Sequence, residues 1–155
     1  MDITLTYSSL AEVVDRQLSI VGKRSTDENG KLLFADITLG SKEKSLIEDY
    51  IRQAVIDITT EMSAFVTAGS MTQVTLTFPT NHKPALETFI QQSCEAYCVS
   101  FALYSWFTVT APRIADKYLG DCKRQLSAVI RLTNEKGAPQ GSTQDIVSST
   151  STVIT

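Results

Sequence analysis

One histidine and three cysteines are all that this 155-residue chain holds of the side chains that most often bind transition metals or act as nucleophiles. Cys94 and Cys98 are spaced i, i+4, which puts two thiols on one side of a helix. A tetrahedral site needs further ligands, and His82 lies about three turns away. That distance also rules out a local Cys–His pair, unless the fold returns Cys122 to His82. Core cysteines acting as small apolar side chains are the favoured reading. Also missing are a phosphate-binding glycine loop, a nucleophile elbow and any metal-ligand signature. Acidic neighbours such as Glu12 and Asp15, or Glu48 and Asp49, fall on the polar sides of amphipathic helices, where they serve solubility. The chain is therefore expected to be non-enzymatic, without cofactor or metal. An active site shared between subunits, leaving no local motif, is a third reading.

Export and membrane signals are lacking as well. MDITLTYSSL has no basic segment leading into an apolar one, so no signal peptide is expected. The odd cysteine count then fits reduced thiols in a cytoplasm. Ala96–Pro112, AYCVSFALYSWFTVTAP, runs seventeen residues without a charge. It falls short of the roughly 20 residues a spanning helix needs and is interrupted by serines and threonines, so it is expected to lie in protein, not lipid. A net charge of −3 argues against a surface that binds nucleic acid everywhere, while leaving room for a local basic stripe.

What is present reads as one mainly α domain (α+β) of about four helices with a small β element. It covers residues 1–136, and an extended Ser/Thr-rich tail follows at 137–155. Asp2–Tyr7 alternates as a half-buried strand, and Ser9-x-x-Glu12 opens a first helix that Gly22 is placed to stop. Lys31–Leu39 suggests short strands around Leu33 and Ile37. Ser41 or Ser45 caps a second helix whose apolar stripe runs from Leu46 to Met62, and this helix is expected to reach about Thr67 and end at Gly69. Thr72–Phe78 alternates as a second strand closed by Pro79. Asn81 caps a third helix reaching Thr110, and Pro112 starts a fourth ending near Asn134. The tail GAPQGSTQDIVSSTSTVIT carries a single charge, Asp145.

Projected at about 100° per residue, the third helix places Leu86, Phe89, Ile90, Cys94, Tyr97, Phe101, Tyr104 and Phe107 on a core face. The opposite face is polar at Gln91, Gln92 and Glu95, then apolar at Val99, Ala102, Leu103 and Trp106. Those four are expected either to lie under another helix of the chain or to form a subunit interface, with Trp106 as its anchor. On the fourth helix Arg113, Lys117, Arg124 and Arg131 fall within about 40° of one another. Segment 113–136 holds six basic and three acidic residues against a net −6 elsewhere. That stripe is either a solvated face or one that meets phosphates or an acidic neighbour.

The order of these elements, from the helix SKEKSLIEDYIRQAVIDI through the next strand to two closing helices, resembles the small head–tail connector (adaptor or ring) proteins of tailed bacteriophages. The likeness covers roughly Ser41–Asn134 and rests on arrangement, since no invariant motif defines the family. The resemblance implies a structural subunit of the virion, made in the host bacterial cytoplasm and forming a homo-oligomeric ring between portal and tail. Its partners would be portal, tail or other ring proteins, with passing contact with DNA and none with membrane. Residues Ile146, Val147, Val153 and Ile154 of the tail would dock on a neighbour, adding a strand to its sheet. The alternative is a soluble helical protein-binding or regulatory module acting as a dimer.

Overall fold

A computed structural model describes residues 1–24, 41–62, 64–78 and 83–135, the side chains of 22–24 and 65 excepted. The expected strands near Leu33 and Ile37, the Asn81 cap and the tail lie outside the described residues. Within them the chain is mainly α. Strand β1 (Asp2–Thr6) leads into α1 (Tyr7–Arg24), then α2 (Ser41–Met62), strands β2 (Phe65–Gly69) and β3 (Gln73–Thr77), α3 (Glu87–Thr110) and α4 (Pro112–Asn134).

The sheet is antiparallel throughout, in the order β1-β3-β2. Strand alternation puts Ile3, Leu5, Val74 and Leu76 on its inner face, all fully or almost fully buried. Threonines fill the outer face: the Thr4 and Thr75 hydroxyls meet at 3.2 Å, and Thr77 donates to the Asp2 carboxylate at 2.6 Å. Arg52 ties α2 to this unit. Its guanidinium sits 4.8 Å over the Tyr7 ring and donates to the Met71 carbonyl at 3.0 Å.

The α3–α4 pair closes the bundle. Ala111 alone links the helices, at φ −153° and ψ 77°, outside the α region that a residue before proline disfavours. At the far end Lys83 Nζ meets Glu135 Oε1 at 2.7 Å, so the two helices run antiparallel over their whole lengths.

Several boundaries differ from expectation. The second helix stops at Met62 and does not reach Thr67, because Phe65–Gly69 pairs with β3 as a hairpin instead. Phenylalanine, valine and threonine suit a strand once a partner edge is available. Ser70 Oγ secures the turn, accepting from the Thr72 and Gln73 amides at 3.2 Å each. The first helix begins at Tyr7, ahead of Ser9, and runs through Gly22 to Arg24. Ser45 is no cap: its hydroxyl donates back to the Ser41 carbonyl at 3.1 Å inside the helix. Pro84–Leu86 forms a separate 3₁₀ turn before α3.

Candidate functional site

The uncharged stretch forms the middle of the bundle. α3 packs against α4, α2 and α1 together, so most of its circumference is covered by the chain itself. Val99, Ala102 and Leu103 are only 6%, 0% and 1% exposed, which corrects their placement on an outward face. The buried side of α3 changes along its length. Ile90, Cys94, Tyr97 and Cys98 point inward in the first half, whereas Val99, Ala102, Leu103 and Phe107 do so in the second. At 100° per residue these sets lie on roughly opposite sides of the helix. The Phe107 ring stacks on Tyr118 of α4, with centroids 5.4 Å apart, while Val99 faces a groove that α1 and α4 both line. Phe101 and Tyr104, expected inside, are consequently half-buried, and Phe89 is exposed. Of the four proposed interface residues only Trp106 keeps partial exposure.

The three cysteines are buried. Burial raises the Cys94 thiol to about 12, with the Glu95 charge adding to the effect. Burial and then the Asp121 charge do the same for Cys122, to about 12, and Cys98 is pushed well above its ordinary value. Thiols held protonated at neutral pH are poor nucleophiles and poor metal ligands. Nearby, Tyr97 donates to Asp57 Oδ2 at 3.2 Å, linking α3 to α2. Burial followed by the Asp57 charge moves the phenol upward, so it stays protonated as the donor. Among the described residues no group of three His, Cys, Asp or Glu side chains is placed to hold a metal ion. His82 lies outside them.

A groove of about 420 Å³ runs between α1, α3 and α4, with Leu10, Val99 and Tyr118 on its floor and Glu95, Asp121 and Arg124 on its rim. Arg124 is already engaged there with Asp121 at 2.5 Å.

The structure brings Arg113, Lys117, Arg124 and Arg131 onto one exposed face of α4. Apart from Arg124, none of the four forms an ion pair with a described residue. Lys117 lies 5.5 Å over the Tyr118 ring.

The β2–β3 hairpin is the surface that reasoning from sequence missed. β2 is an edge strand, with Val66 57% exposed and Met71 84% exposed at the turn. Its signal was available in the sequence: residues 62–82 contain no Asp, Glu, Lys or Arg, a longer uncharged run than Ala96–Pro112. Edge strands are commonly blunted by charge, and among the described residues β2 carries instead a register irregularity between Val66 and Ala68. The tail residues Ile146, Val147, Val153 and Ile154 lie outside the described residues.

No protein-family model, curated protein or solved structure matches the chain. No helix among the described residues is long and apolar enough to cross a membrane.

Proposed function

We propose that the chain is a non-catalytic structural subunit of a tailed-phage virion, assembling into a head–tail connector ring between portal and tail. The single observation that carries the reading is the charge-free β2 edge, which no other strand among the described residues pairs, with Val66 and Met71 exposed beside it. A ring requires a heterologous contact, one surface of each subunit meeting a different surface of the next. A strand edge that no described residue pairs supplies one side of such a contact. A β-branched segment such as Ile146–Val147 or Val153–Ile154 from a neighbour's tail supplies the other, by strand addition. Half-exposed Trp106 remains available at the surface as an anchor.

The test is mass photometry with negative-stain electron microscopy, on the chain alone and mixed with a purified portal. Val66→Lys combined with Met71→Lys, and separately deletion of 137–155, are expected to abolish ring-sized particles while shifting the melting temperature by no more than a few degrees. Variants that assemble like the wild type sink the reading. A wild-type chain that stops at a dimer favours the binding-module alternative, for which the α1–α3–α4 groove offers a site.

A further inference from the structure

We propose that the exposed face of α4 binds the phosphate backbone of duplex nucleic acid, with Gly120 as the point of closest approach. Arg113 to Arg131 spans about 27 Å of helix, and Lys117, Arg124 and Arg131 recur every seven residues, about 10.5 Å apart. Between them on the same face stand Gly120 and Ser127, both exposed, with the exposed Asp116 at its edge, one turn from both Arg113 and Gly120. Arg113 and Lys117 form no ion pair with a described carboxylate, and Arg131 acts on Glu135 only at longer range. Asp121 engages Arg124 from beside the stripe, leaving the arginine side chain 71% exposed.

Gly120 is the second, independent observation. A glycine inside a helix is less stable than alanine. A Cβ added there meets nothing within 4 Å, so packing within the chain does not require its absence. What glycine does supply is a dip in the surface, in the centre of the cationic line, where a ligand can come against the helix backbone. A ligand with regularly repeated negative charge fits a straight line of spaced cations. The phosphate backbone is such a ligand. A second copy of the chain fits less well. Among the described residues its exposed carboxylates, such as Glu12, Glu43, Asp49, Glu61, Glu87 and Asp116, are spread over α1, α2, α3 and α4. Binding through phosphates alone carries no base readout, so it is independent of sequence.

The experiment is fluorescence anisotropy of a labelled duplex of about 20 base pairs titrated with the full chain between 50 and 200 mM salt. Three to four phosphate contacts imply a fall in affinity of about 40- to 150-fold across that range. Lys117→Glu with Arg131→Glu is expected to abolish binding. Gly120→Leu is expected to weaken binding at least about fivefold while leaving or raising the melting temperature, because leucine is the better helix former. Salt-independent binding, or charge-reversed protein that binds as well as the wild type, overturns the proposal. So does Gly120→Leu with unchanged affinity. An oligoglutamate of equal charge that binds more tightly than the duplex overturns it in favour of an acidic protein partner. Ring formation is measured separately, so loss of DNA binding and loss of assembly are distinguishable outcomes.

Discussion

Leu103 carries its energy into the fold. Every contact that buries it comes from its own chain, so Leu103→Ala is expected to cost about 2–5 kcal/mol of stability, as large-to-small core changes do. Denaturation at two protein concentrations checks the point: equal losses at both assign Leu103 to the core, and a loss confined to high concentration would return it to an interface. The same residue shows why helix faces can mislead. A single wheel assumes one inward direction for the whole helix, whereas α3 turns opposite sides inward in its two halves. Ile90, Cys94 and Tyr97 were legible as core, because the first half obeys that assumption. For Val99, Ala102 and Leu103 the sequence left two readings, cover by another helix of the chain or a subunit interface, and the structure shows the first, because periodicity does not reveal which long-range partner lies opposite.

Among the elements, those whose ends are written locally were the most legible. α4 begins at Pro112 and keeps a clean apolar stripe to Asn134, and its basic face lies where spacing placed it. β2 was hidden because its apolar residues continue the pattern of α2, and only pairing with β3 makes them a strand. The turn that permits this pairing rests largely on one hydroxyl. Ser70→Ala removes an acceptor for two backbone amides and is expected to cost about 0.5–1.5 kcal/mol. Faster hydrogen exchange at Thr72 and Gln73, with α3 and α4 unaffected, is the signature to look for. Equal acceleration in the helices would mean that the hairpin and the bundle open as one unit.

For the whole molecule, the buried thiols set a direction for pH dependence. Cys94 has an ordinary value of 9.0 and is held at about 12 in the fold. Between those limits the folded state keeps a proton that the unfolded chain releases, so stability falls as pH rises through the window and is unaffected below it. Cys98 and Tyr97 act in the same direction. Urea midpoints at pH 7, 9 and 10.5 are expected to decline only over the upper interval, with a shallower decline in Cys94→Ala. A flat profile in the wild type would show that the thiol is not sealed from water.

The ion pair between Lys83 and Glu135 has a mechanical consequence. Lys83 follows directly on the charge-free run 62–82, and Glu135 stands just ahead of the nearly charge-free stretch 137–155. Two segments that begin far apart along the chain are thus rooted a side chain's length from each other. The clasp that holds the lead into α3 against the end of α4 is exposed to water and weakened by salt. Rising salt is thereby expected to loosen the open end of the α3–α4 pair before the end that Ala111 joins covalently.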